Sequence, residues 1–187
     1  MIDLAMHMMD IVQNAIRAGA GRIGIYFVES NEKTMLLFRV TDDGSGMSEA
    51  GLEKVDDPFF TTRTTRRVGL GVPFLKMTCE QAGGFLKVLS AEGRGTTIEA
   101  VYRTDHPDCL PLGDIAGYLT LLLKANPAIS FRFLYKLDES EFSLDSEALK
   151  AEGIALQQAE MLTTVRQYIR ENLQALQRDR SAESYLC

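Results

Sequence analysis

The sequence predicts an α/β (α+β) fold in which helices alternate with β-hairpins, and three observations carry that expectation. Apolar residues recur at helical spacing over residues 3–18. Two pairs of short apolar or alternating runs, within 23–41 and 85–103, are each joined by a turn and read as hairpins. A third series of helix, hairpin and helix follows Pro107 and Pro111.

In the first helix, Leu4, Met8, Ile11, Val12 and Ala15 form an apolar stripe. His7, Asp10, Asn14 and Arg17 form a polar stripe on another face. Gly19 and Gly21 stop the helix. Ile23, Ile25 and Phe27 then alternate like a half-buried strand. Ser30-Asn31-Glu32-Lys33 reads as a turn, and residues 35–41 as a second strand. The hairpin ends at Asp42-Asp43-Gly44-Ser45-Gly46.

Residues 48–68 are expected to be irregular. Residues 71–82 read as a helix, with Pro73 in the first turn, where proline is tolerated. Gly83-Gly84 ends it. Residues 85–90 and 96–103 read as strands joined by Glu92-Gly93-Arg94-Gly95. The stretch from Asp105 to Pro111 marks a boundary between a domain at 1–104 and a small C-terminal α/β appendage at 105–187. The appendage is expected to hold a helix at 115–124, a hairpin of 129–137 with 141–144, and one long helix at 146–178. Leu162, Val165, Ile169, Leu173 and Leu176 make that helix amphipathic. Such a stripe suits packing on its own domain, and pairing two protomers into a homodimer is its other use.

Bulk properties narrow the function classes. The 187 residues are 45% hydrophobic and 25% charged, as in a soluble globular protein. A formal charge of -6 argues against general nucleic-acid binding, which needs cationic surface. No apolar run approaches the roughly 20 residues of a membrane helix, so no membrane association is expected. Acidic Asp3 stands where a secretory leader would be basic and apolar, so a cytoplasmic location is expected. Cys79, Cys109 and Cys187 are scattered and odd in number, which fits reduced thiols better than a disulfide framework or a zinc site.

Four clusters in order carry the chemistry. Asp10 and Asn14 sit four apart on the first helix and point the same way. A carboxylate and a carboxamide together suit a hard cation such as Mg²⁺. Next, Asp42, Gly44, Gly46 and Met47 follow a strand end. A carboxylate there can accept from an exocyclic amine, and the glycines let backbone approach a ligand. The third cluster, Asp57-Pro58-Phe59-Phe60-Thr61-Thr62-Arg63 with Arg66 and Arg67, combines hydroxyls and guanidiniums that suit phosphate oxygens. The fourth, Gly69-Leu70-Gly71, directly precedes a helix, where backbone N–H groups favour an anion. Gly95-Thr96-Thr97 follows on the later strand. Read singly, these are a solvated helix face, glycine-rich turns and a basic loop; their order makes the signal.

Together they resemble the motif series of the GHKL superfamily, the ATP-binding fold of histidine kinases, DNA gyrase and MutL-like ATPases. Asp10–Asn14 matches the N box and Asp42–Gly46 the Asp-x-Gly-x-Gly box. Phe59-Phe60-Thr61-Thr62-Arg63 resembles the phenylalanine box of sensor kinases, and Gly69-Leu70-Gly71 their second glycine box. Residues 11–20 also look like MutL-type ATPases, and the resemblance spans residues 4–103. It implies a two-layer sandwich, a mixed and mostly antiparallel sheet with helices on one face. It further implies ATP and Mg²⁺ as cofactors. Asp42 would bind the adenine amino group with Met47 near the ring, and Asn14 would hold Mg²⁺. Gly69, Leu70 and Gly71 would cradle phosphates, Arg63 beside Thr62 would contact them, and Thr96 or Thr97 would support the adenine end.

The sequence also departs from the family. Asp10 stands where hydrolytic members carry a glutamate general base, and its carboxylate is one methylene shorter. Arg67 replaces the usual first glycine of the second box, so a reduced lid is expected. The chain begins at the N box, and neither His7 nor His106 has a phosphoacceptor context, so autophosphorylation in cis is not expected. The leading expectation is a stand-alone, kinase-like ATP-binding protein in signal transduction that transfers phosphate to a separate protein partner. The alternatives are an ATP-driven switch or slow MutL-like ATPase without phosphotransfer, and an adaptor without nucleotide.

Overall fold

The computed structural model describes residues 2–55 and 70–186. Thr62, Arg63 and Gly69, with the rest of 56–69, lie outside the described residues, as does Cys187.

Helix α1 (Leu4–Arg17) is capped by Asp3, whose Oδ1 accepts the Met6 N–H at 2.8 Å. Strands β1 (Arg22–Ser30) and β2 (Met35–Asp42) form the first hairpin. A short helix α2 (Glu49–Leu52) follows, inside the segment expected to be irregular. Ser48 starts it by accepting the Gly51 N–H, a cap that four residues of weak periodicity do not advertise. Helix α3 (Gly71–Gln81) precedes the second hairpin, β3 (Phe85–Ala91) and β4 (Gly95–Arg103). Then come α4 (Ile115–Ala125), β5 (Ser130–Leu137), β6 (Ser140–Asp145), α5 (Ser146–Ala151) and α6 (Ala159–Gln177).

The long helix expected at 146–178 is therefore two helices. Gly153, with φ of +78°, ends α5 in the left-handed conformation that favours glycine, and Leu156 tucks into the core before α6 begins. Burial of Leu156 and the turn at Gly153 outweigh continuous helical periodicity.

The strands form one six-stranded sheet in the order β3-β4-β2-β1-β5-β6. All neighbours are antiparallel except β1 and β5. The hairpin of the C-terminal region thus extends the sheet begun by the first hairpin. Ile23, Ile25, Phe27, Leu36, Phe38, Val40, Phe131 and Phe133 point into a core shared with the apolar faces of α1, α3 and α4. The result is a two-layer α/β sandwich with a mixed sheet. On α6, Val165, Ile169, Leu173 and Leu176 are buried against the chain's own core, so that stripe is already occupied. The segment after α6 is tied down by Arg180, which pairs with buried Glu29 at 2.8 Å and donates to Tyr135. Among the described residues no helix is long and apolar enough to cross a membrane. Cys79 and Cys109 are both buried.

A candidate nucleotide pocket

The Asp42 end of the pocket is a clasp between two turns. The loop after β2 folds across the β3–β4 turn, and Gly93 N–H donates to Ser45 O at 2.7 Å. Gly46 adopts φ of +65°, and a Cβ there would stand 1.9 Å from Ala91 O. Gly95 adopts φ of +79°, and a Cβ there would stand 1.9 Å from Asp42 O. Only glycine allows both the conformation and the approach. Gly44 packs on the end of α1, where Ser45 N–H donates to Ala18 O.

Strand register decides which side chains meet. Ser90 pairs with Thr96, and Thr96 with Asp42. Directly opposed residues share a face, so these three form one polar rung on the helix-covered side. Thr97 does not join them. It pairs with Thr41 and Leu89, and the two-residue alternation of a strand turns it to the open face.

Asp42 Oδ1 accepts the Gly44 N–H at 2.8 Å. Partial burial pushes its carboxyl above the ordinary carboxylate range, opposed by the backbone N–H groups of Gly44 and Thr96. Its neighbour Asp43 has a different task. It accepts from Gly21 N and Arg22 N at 2.8 Å and pairs with Arg22 Nε at 2.9 Å. The Arg22 backbone N–H leads in holding it below the usual range. Asp43 therefore fastens β1 to β2.

Ser90 is the residue that motif reading missed. Its Oγ accepts the Met47 N–H at 2.9 Å, donates to Gly95 O at 3.0 Å, and lies 2.9 Å from Thr96 Oγ1. Counting back from the Glu92–Gly95 turn places residue 90 opposite Thr96, so hairpin register held the signal.

The other end lies between α1 and the start of α3. Asp10 is exposed and Asn14 half-buried on α1. A Cβ on Gly71 would stand 3.4 Å from Asp10 Cβ and 3.8 Å from Asn14 Nδ2. The α3 N-terminus, where Leu70 and Gly71 sit, thus abuts both N-box side chains. No side chain caps that end among the described residues. Arg17 donates to Asn14 Oδ1 from the next turn of α1.

A buried joint sets the two helices in register. His7 Nε2 lies 3.1 Å from Thr78 Oγ1, and Thr78 Oγ1 lies 3.0 Å from Tyr102 OH. His7 is 3% exposed, so it belongs to the core and not to the polar stripe expected of it. Burial lowers its pKa, against the pull of Asp10 and Asp3.

These groups fit a nucleoside triphosphate with its cation. The helix N-terminus offers N–H donors and a favourable dipole to phosphate. Among the described residues no three His, Cys, Asp or Glu side chains cluster for a metal.

The model of the family of histidine kinase-, DNA gyrase B-, and HSP90-like ATPases matches residues 2–106. Sensor histidine kinase ZraS of Salmonella typhimurium is 37% identical over 94 residues, 49% of this chain and 20% of that protein. Sensor kinase CckA of Brucella abortus is 34% identical over 76 residues, 40% of this chain and 8% of that protein. The chain therefore spans a fifth or less of these relatives. A crystal structure of the N-terminal domain of a DNA repair protein aligns with a TM-score of 0.54 and 16% identity. It covers 76% of this chain and 52% of that one, a likeness of fold. The matched region is an ATP-binding domain, and the chain belongs to the histidine kinase-, DNA gyrase B-, and HSP90-like ATPase family.

Proposed function

We propose that the chain binds Mg²⁺-ATP in this pocket and transfers the γ-phosphate to a separate cytoplasmic protein. The observation that carries the reading is the convergence of Asp10, Asn14 and the α3 N-terminus, on the same side of the sheet as the Asp42 rung. Asp42 accepts from the adenine amine, and Gly44, Gly46 and Met47 form the wall beside the base. Leu70 and Gly71 hold phosphate through backbone N–H groups; Gly69, Thr62 and Arg63, outside the described residues, are assigned to the phosphates by the motif resemblance alone. Asn14 is the protein's ligand to Mg²⁺, which when bound neutralises phosphate charge. Asp10 is exposed and short, which favours orienting the cation's water shell over serving as an efficient hydrolytic base. Thr96 stays in the assignment, and Thr97 leaves it.

Phosphotransfer to a partner is preferred because the kinases named above share this region at 34–37% identity. Titration calorimetry with Mg²⁺-ATP should show binding by the wild type. Asp42→Ala should lose on the order of a hundredfold in affinity, and Asn14→Ala should abolish the magnesium dependence. Labelled ATP should then mark an acceptor protein in extract. Tight binding with no acceptor at any magnesium concentration would favour a nucleotide-driven switch instead.

A further inference from the structure

We infer that Ser90 is a specificity-determining residue, which makes the base end of the pocket reject a 6-oxo purine and accept a 6-amino one. The inference rests on the nucleotide reading above and assigns a role that the motif series does not contain.

A serine hydroxyl has one proton and two acceptor lone pairs. Ser90 Oγ accepts the Met47 N–H at 2.9 Å, which uses one lone pair. Its single proton goes to Gly95 O at 3.0 Å, because a carbonyl can only accept. The third neighbour, Thr96 Oγ1 at 2.9 Å, must therefore donate its own proton to the remaining lone pair of Ser90. Thr96 has then spent its only donor. The oxygen it turns toward the pocket is an acceptor.

Asp42 lies beside Thr96 on the same rung. Its Oδ1 is engaged by the Gly44 N–H, and an ionised carboxylate has no proton to give. The base edge therefore meets acceptors from both side chains and a donor from neither. The 6-amino group of adenine has two N–H donors to offer. A 6-oxo group brings a lone pair against lone pairs, an unmatched contact that is costly in a half-buried site. Ser90 touches no base in this arrangement. It fixes the direction of the hydrogen-bond chain, and it holds Met47 at the pocket wall.

Without the Ser90 hydroxyl, the Thr96 proton is free to rotate toward the pocket. Thr96 can then donate to a 6-oxo group. General loosening of the loop would weaken all purine nucleotides together. Loss of directional control changes their ratio.

The test compares ATP with inosine triphosphate, which carries a 6-oxo group and an N1–H where ATP has a 6-amino group and a bare N1, by titration calorimetry on the full chain with magnesium. Wild type should prefer ATP. Ser90→Ala should cut that preference about tenfold, with inosine triphosphate losing less affinity than ATP or gaining some. Ser90→Thr keeps the hydroxyl and should keep the ratio. Thr96→Val removes the acceptor and should also lower the ratio, which keeps the idea testable should Ser90→Ala not fold. An unchanged ratio in Ser90→Ala or in Thr96→Val, with the wild type binding ATP and Asp42→Ala failing to, overturns this inference alone. Absence of ATP binding by the wild type overturns the nucleotide reading and the inference with it.

Discussion

At the Asp42 end of the pocket the backbone makes the shape; at the Asn14 end two helices and their side chains make it. Gly46 and Gly95 at the first end hold positive φ angles and pass under 2 Å from neighbouring carbonyls at the Cβ position. The second end has ordinary van der Waals spacing around Gly71, and its two helices meet through His7 and Thr78. A backbone clasp cannot adapt to a new atom, whereas helix-borne side chains can shift. On the proposed reading the two ends divide the labour, with a preformed seat for the base and an adjustable one for phosphates and cation.

Gly95→Ala is the harshest way to break the comparison. Its Cβ would meet Asp42 O at 1.9 Å in a conformation alanine disfavours. Unfolding free energy should fall by about 3 kcal/mol or more, and nucleotide binding should vanish with it. Denaturant titration checks this; a variant as stable as wild type would show the clasp to be pliable.

His7→Gln probes the helix joint with a smaller effect. It keeps a donor toward Thr78 and should cost about 1 kcal/mol at pH 7.5. The pH dependence should distinguish it further. Burial lowers the His7 pKa from its ordinary 6.5. Below pH 6.5 the unfolded chain takes up a proton that the folded chain resists. Stability contributed by neutral His7 is thus full above that pH and lost as pH falls, by up to about 1.4 kcal/mol per pH unit. Unfolding midpoints between pH 7.5 and 5.5 should fall less steeply for His7→Gln. Parallel curves would remove His7 from the account.

Gly71→Ala should do least. The added Cβ would lie 3.4 Å from Asp10 Cβ, and Gly71 has no positive φ. Alanine suits a helix better, so stability should hold or rise by up to about 1 kcal/mol. ATP affinity should change less than about threefold, the range of mild surface substitutions. The same Gly→Ala change, ruinous at position 95 and tolerated at 71, is the sharpest form of the comparison. A loss at Gly71 equal to that at Gly95 would erase it.

Much of the architecture was legible in the sequence. The periodicity of residues 4–15 placed α1, and alternation at Ile23, Ile25 and Phe27 placed β1. Harder to read were features fixed by distant partners. Leu156 and Gly153 divide what local periodicity presents as one helix. His7 stands in a stripe with Asp10 and Asn14, yet Thr78 and Tyr102, far along the chain, draw it inside.

The sequence by itself determined which chemical groups exist and how they face along each element, because helix and strand periods follow from backbone geometry alone. It supplied Asp10 and Asn14 one turn apart, Asp42 at a strand end, and glycines where the chain must pass closely. Only the tertiary structure decided which groups meet. Cross-strand register set Thr96, and not Thr97, opposite Asp42 and brought Ser90 to both Thr96 and Met47. Packing consumed the α6 stripe within the chain. Register and packing arise from contacts between segments remote in sequence, and no local pattern encodes them.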